Sequence, residues 1–280
     1  MRQYLARILK LGILAGAALQ LSFPPAFAVV FPDKNLEAAL RALVFEKRDK
    51  PDELTDDDLR KISTLEAKGR KIQNLAGLEK CTNLLLLDLS NNEISDLTPI
   101  KGLTSLQSLS MAQNTISDLV PLMELTKLQY LYLSNNQIRA LQPLSAMTKL
   151  SALYLADNKV VELAPLAGLA GLSSLDLAKN QIVDIKPLGG IARISVLKLS
   201  DNAIEDITPA TQHPPQSMLI IERNKIADLT ALVAAAKADA EGKKNFAPFL
   251  HLYLAGNPLS DTAKNEQVAA LKTAGVRIEN

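Results

Sequence analysis

Side chains able to do chemistry are few in this chain and do not converge. Its 280 residues include two histidines and one cysteine. No His/Cys metal cluster can be assembled from that set, and no disulfide can close within the chain. His213 sits in a Thr-Gln-His-Pro-Pro turn, and the sequence places no nucleophile beside His251. Cys81 stands in a column that Leu103 and Leu125 fill elsewhere, so it reads as a small buried hydrophobe and not a reactive thiol. There is no phosphate loop, paired-carboxylate signature or Gly-rich fingerprint, and the calcium-binding β-roll pattern is also missing. The expectation is no catalytic residue, no metal ligand and no cofactor. Contact chemistry is a different matter. Four of the five tyrosines (Tyr130, Tyr132, Tyr154 and Tyr253) fall in two short columns of the sequence, and exposed tyrosines offer large rigid area with a polar tip.

Those columns come from a repeat. An asparagine recurs every 22 residues, at Asn92, Asn114, Asn136, Asn158, Asn180, Asn202 and Asn224, and Asn257 follows after 33, which marks an insertion of about 11 residues. Around each one the chain reads L-x-x-L-x-L-x-x-N-x-I-x-x-L. A degenerate copy at Ile62, with Arg70 in the Asn column, opens the series, giving nine units over 62–259. This is a leucine-rich-repeat period. Within a unit, Leu87 and Leu89 alternate with Leu86, Asp88 and Ser90, the mark of a short strand with one buried face. Ile94, Leu97, Ile100 and Leu103 then recur every three residues, which suits a 3₁₀ or short helical return. Proline opens most returns (Pro99, Pro121, Pro143, Pro165, Pro187, Pro209), as its missing N–H permits. The acids three residues before it, such as Asp96 and Asp118, read as favouring the helix start and not as ligands. One unit cannot bury its own apolar edge, whereas nine stacked units can. The expected fold is an α/β right-handed solenoid, a horseshoe with a parallel sheet on the concave face and 3₁₀ or short helices on the convex one.

An open stack needs covers. Residues 29–61 read as a helical N-terminal cap, with Leu36, Leu40 and Leu43 on one apolar face and Thr55 capping a second short helix. The Ala-rich insertion, about 231–248, reads as a helix closed by Gly242. Residues 260–280 read as the C-terminal cap. In it Ser260 or Asp261 starts a helix, Gly275 ends it and Val276–Ile278 adds a strand. Ahead of all this, Arg2, Arg7 and Lys10 precede an apolar run ending at Pro24-Pro25 and Ala26-Phe27-Ala28. Residues 1–28 therefore read as a Sec-type signal peptide, with an uncleaved anchor as the competing reading. Cleavage would take the net charge from +1 to −2 and leave no second apolar run long enough to span a membrane.

Strand alternation lists the concave face. Its middle column runs Glu66, Asp88, Ser110, Tyr132, Tyr154, Asp176, Lys198, Ile220 and Tyr253, and the column before it ends in Met218 and His251. Tyr130, Tyr132 and Tyr154 should touch at the middle of the arc. Met218, Ile220, His251 and Tyr253 should form a second apolar patch, with Asp176 and Lys198 among the charges between. The bland reading of the tyrosines is strand propensity alone. Lys plus Arg is 31 against 30 for Asp plus Glu, and mixed charge of that kind favours a protein partner over nucleic acid or an anionic membrane. The buried asparagines should satisfy backbone groups that each turn leaves unpaired.

The 22-residue units with D-L-x-P-L, of which Asp96-Leu97-Thr98-Pro99-Ile100 is one, resemble the internalin class of bacterial leucine-rich-repeat proteins. Phe31-Pro32-Asp33-Lys34-Asn35-Leu36 looks like the helical N-cap of that class, and Gly256-Asn257-Pro258-Leu259-Ser260 like its last unit. The resemblance covers roughly residues 29–280. It implies a secreted or surface binding protein without enzymatic activity. The chain departs from the class in having no cell-wall sorting motif, wall-binding repeat or immunoglobulin-like module after its cap. A free or periplasmic module therefore fits better than surface attachment or host-cell invasion. Function is thus expected to be exported, non-catalytic binding of a protein through the concave face by a monomer. A carbohydrate or peptidoglycan binder is the alternative, because aromatic rows also stack on sugars.

Overall fold

A computed structural model describes residues 29–279. The signal segment expected at 1–28 lies outside the described residues. Each 22-residue unit gives one three-residue strand: β1 (Thr64–Glu66), β2 (Leu86–Asp88), β3 (Ser108–Ser110), β4 (Tyr130–Tyr132), β5 (Ala152–Tyr154), β6 (Ser174–Asp176), β7 (Val196–Lys198), β8 (Met218–Ile220) and β9 (His251–Tyr253). A tenth, β10 (Arg277–Glu279), closes the far end. The strands pair in chain order and all in parallel, in one open sheet. Register follows the repeat, so Leu131 faces Leu153 and Tyr132 faces Tyr154. The central leucine of each strand from β1 to β9 is buried in the coil, while its neighbours face the hollow of the arc. The protein is a leucine-rich-repeat solenoid of the horseshoe type.

In six successive coils the return is a single 3₁₀ turn, such as Thr98–Ile100, Val120–Leu122 and Gln142–Leu144, with proline at its opening. In four of these coils the acid before the proline caps the turn locally. Asp96 Oδ1 accepts from the Thr98 N–H at 2.8 Å, and Asp118, Asp184 and Asp206 do the same two residues on, an Asx turn that sets the start of the helix.

Asparagines bind coil to coil. Asn136 Nδ2 donates to the carbonyls of Met111 and Leu133, both at 3.0 Å, and its Oδ1 accepts from the Ile116 N–H at 2.9 Å. One half-buried amide thus joins its own turn to the preceding coil. Asn92, Asn114, Asn158, Asn180, Asn202 and Asn224 repeat the pattern. Asn257 carries it across the insertion, accepting from Asn224 and Ile226 N–H groups at 3.1 and 3.2 Å. The residue before each asparagine, and before Arg70 in the first unit, is left-handed. Gly69, Asn91, Gln113, Asn135, Asp157, Lys179, Asp201, Arg223 and Gly256 all have φ between 49° and 75°. That conformation turns the chain sharply out of the strand, and most of these residues adopt it without glycine's freedom.

Both ends of the core are covered. Helix α1 (Lys34–Arg41) starts at Asp33, whose Oδ1 accepts from Asn35 and Leu36 N–H groups. Leu36 and Leu40 are buried, but Leu43 is 47% exposed because the helix stops at Arg41 and turns Leu43 away from that face. Helix α2 (Asp56–Arg60) has a reciprocal capping box between Thr55 and Asp58. Within the insertion, α3 (Thr230–Glu241) ends at Gly242, and the Asp239 carboxylate accepts from the N–H groups of Asn245, Phe246 and Ala247 to turn the chain back. At the C-terminal end, Ser260 Oγ accepts from the Ala263 N–H at 3.1 Å. A π-helical turn (Ala263–Gln267) then leads into α4 (Val268–Thr273). Gln267 from that turn accepts the Leu229 N–H and donates to Asp228, tying the cap to the eighth unit. The last strand begins one residue later than the sequence suggested. Gly275 at φ 102° turns Val276 into the core, so the ladder starts at Arg277.

Candidate binding face

The concave face is built from the inward residues of ten short strands, so neighbouring side chains in a column stand one strand spacing apart, roughly 4.8 Å. At its middle, Tyr132 and Tyr154 stack with ring centroids 4.7 Å apart and planes within 5°. Burial in this pair pushes the Tyr132 hydroxyl above the usual phenol range, with Tyr154 and Tyr130 adding to the effect. Tyr154 Oη accepts from Ser174 Oγ at 3.2 Å, which fixes the far ring. Tyr130 does not join the stack. Its register partner is Ala152, which is too small to cover a ring, and Tyr130 is left 44% exposed.

Asp176 and Lys198 follow in the same column as an ion pair at 3.5 Å. They separate the tyrosines from the second patch, where Met218 and Ile220 on β8 are half-buried. His251 and Tyr253 lie beside them on β9, and the end strand changes that patch's character. Glu279 Oε1 lies 2.7 Å from His251 Nδ1, and Arg277 Nη1 is 3.5 Å from Nε2. The patch is therefore apolar on β8 and charged on its β9–β10 side. His213 is exposed, on the wall of a hollow of about 500 Å³ between α3 and the seventh unit, far along the chain from the tyrosines. Cys81 is fully buried, and burial, with Glu79 adding, pushes its thiol up to about 12.

Along the rim, the left-handed residues form a polar row. Asn135 Nδ2 donates to Asp157 at 2.6 Å, and Arg223 grips Asp201 through two contacts of 2.6 and 2.8 Å. The Arg223 contact holds the Asp201 carboxyl below its usual range. Sequence reasoning did not mark this row as a turn, because its residue types are varied; the only signal was its fixed place before each asparagine. It placed Glu66 and Asp88 at the head of the middle column without singling them out as contact residues; they line a hollow of about 340 Å³ with Tyr132. Two acids 22 residues apart at an inward position were the available signal. Among the described residues, no group of three or more His, Cys, Asp or Glu side chains is arranged to hold a metal ion, and no helix is long and apolar enough to cross a membrane.

A family model for leucine-rich repeats matches residues 82–122, 104–146 and 126–168. Among solved structures, internalin C2 of Listeria monocytogenes is 29% identical with a TM-score of 0.68, covering 89% of this chain and 95% of that one. A leucine-rich-repeat protein of Leptospira interrogans shares the fold at 23% identity and a TM-score of 0.57, over 72% of this chain and 62% of that one. No curated protein sequence matches. Stacked 22-residue coils, their asparagine ladder and an open parallel sheet define a leucine-rich-repeat protein. With its helical N-terminal cap and its likeness to internalin C2 along nearly its whole length, the chain is internalin-like and of bacterial type.

Proposed function

We propose that this is an exported, non-catalytic protein that binds a protein partner through its concave face. Residues 1–28 serve as the export signal, 29–61 and 260–280 as the caps, and 62–259 as the repeats that carry the face. The mature protein works in the periplasm or outside the cell. The observation that carries the reading is the Tyr132–Tyr154 stack, held by Ser174 at the middle of the arc and flanked by exposed Tyr130. Rigid aromatic groups at the centre of a surface are typical anchors of protein interfaces. The solenoid supports them on a core that does not need to move. His251 stands between Glu279 and Arg277, where it serves the edge of the face.

Affinity capture with the wild-type protein and a Tyr132→Ala/Tyr154→Ala variant, compared by mass spectrometry, tests this. Loss of a captured partner from the folded variant supports the assignment. Full retention by the folded variant overturns it. One observation favours a glycan as the second reading: Tyr130, opposite Ala152, keeps a ring face open for a sugar. The stacked rings cover one another and offer less. Binding to a glycan array that is lost with Tyr130→Ala would favour that reading.

A further inference from the structure

The middle column of the concave face contains two neighbouring charged pairs, and the fold treats them differently. Asp176 and Lys198 face each other across β6 and β7 and close to 3.5 Å. Glu66 and Asp88 face each other across β1 and β2 in the same column. Like charges directly opposite in a sheet repel. Neither carboxylate belongs to an ion pair among the described residues, although the pairs that do form include several at this end of the molecule, such as Lys47–Asp58 and Lys80–Asp56. Asp88 Oδ1 accepts from the N–H and hydroxyl of Ser90, both neutral donors. A local conflict that the rest of a sequence leaves in place is the kind retained at functional positions.

The hollow these acids line has the walls of a cation subsite. Ser110 and Tyr132 close its other side. Tyr132 lies between Ser110 and Tyr154 in register. With Tyr154 covering one ring face, the other looks over the small serine into the hollow. Carboxylates beside an open aromatic face suit a guanidinium or an ammonium group.

We propose that this hollow receives a Lys or Arg side chain of the protein partner, whose adjoining apolar part packs on the Tyr132–Tyr154 stack. The partner's cation then stands to Glu66 and Asp88 as Lys198 stands to Asp176. The proposal rests on the reading of the concave face as a protein-binding surface.

Peptides selected from a random displayed library on the wild-type protein provide the test, with Glu66→Gln/Asp88→Asn and Tyr132→Ala/Tyr154→Ala as comparison baits. The selected peptides should be enriched in Lys or Arg. They should bind the amide variant about tenfold or more weakly, the worth of a charged hydrogen bond, and should lose the same factor when arginine is replaced by citrulline. Both amide changes keep the shape and the acceptor that Ser90 uses. Peptides without that enrichment, or bound undiminished by the amide variant, overturn the cation subsite; if the double-alanine variant still loses them, the concave-face reading stands. Peptides indifferent to both variants, or no peptides at all, overturn both. Without any partner, Glu66→Gln alone should raise the melting temperature by relieving the repulsion. An unchanged or lower value overturns the premise of an uncompensated pair.

Discussion

The Phe31 ring fills the space that a Cβ on Gly77 would need. A Cβ built there would lie 2.5 Å from one ring carbon and 2.6 Å from another, and Gly77 has φ 99°. The buried ring thereby locks the N-terminal cap onto the first return of the solenoid. Gly77→Ala must strain the backbone and displace the ring at once, so urea unfolding should show a loss of about 1–3 kcal/mol or more. Because the two costs share one contact, Phe31→Ala should be less damaging in the Gly77→Ala background than in the wild type. Strict additivity of the two changes would show that the ring is not what excludes the side chain.

Asp33 fastens the same cap by its charge. Its Oδ2 accepts from the N–H groups of Gln73 and Asn74 while Oδ1 caps α1. Burial opposes ionisation, but these four N–H groups override it and hold the carboxyl below its usual range. Asp58 and Asp239 are lowered in the same balance, against burial, by Lys47 with Thr55 and by the backbone of residues 245–247. The folded pKa lies below the unfolded one, so the unfolded chain takes up protons first as pH falls. The stability these groups add is complete above the ordinary carboxyl value, about 4, and is lost as pH drops through the lowered folded values. The urea midpoint should be level from about pH 5 to 7 and decline below about 4. Asp33→Asn should lower the midpoint at neutral pH and converge on wild type in strong acid; an equal deficit at both would deny the charge its part.

The rim row makes a conformational prediction. Lys179 sits at φ 54°, where a side chain costs roughly 1–2 kcal/mol and a β-branched one more. Lys179→Gly should stabilise the protein by up to about 1 kcal/mol, and Lys179→Val should destabilise it by a similar amount. The reverse order in thermal unfolding would mean that contacts of the lysine outweigh its backbone.

Much of this architecture is legible from one chain because each unit repeats the same compromise. Leucines that face inward in every coil, such as Leu131 and Leu153, must fall at fixed spacing, so the period carries the strands and their register. Short-range chemistry was legible for the same reason: Thr55 with Asp58, Ser260, and aspartates such as Asp96 and Asp118 before the prolines act on neighbours within a few residues. What escaped depends on contacts between distant segments or on backbone shape. Leu43 has the spacing of a buried face, but the helix had already ended. Lys179, Asp157 and Arg223 share a left-handed turn that their side chains do not announce. Tyr130 and Tyr132 are two residues apart on one strand, yet only Tyr132 stacks, because its neighbour across the sheet is Tyr154 and that of Tyr130 is Ala152. Glu66 and Asp88 were legible as neighbours in the middle column, where the register sets them face to face, but not as a pair that no ion pair among the described residues compensates.

Three substitutions in one coil should separate the buried from the exposed faces of that register. Leu133 is fully buried, and Leu133→Ala should cost about 2–5 kcal/mol through the cavity it opens. Asn136→Ala removes the amide that serves two carbonyls and one N–H between adjacent coils, leaving buried polar groups unpaired at about 1–3 kcal/mol. Tyr132→Ala loses one ring of a half-buried stack on the open face, so its effect should be the smallest of the three. Chemical denaturation of the three variants gives the order directly. A Tyr132→Ala loss equal to that of Leu133→Ala would show that the tyrosine supports the core and is not presented from it.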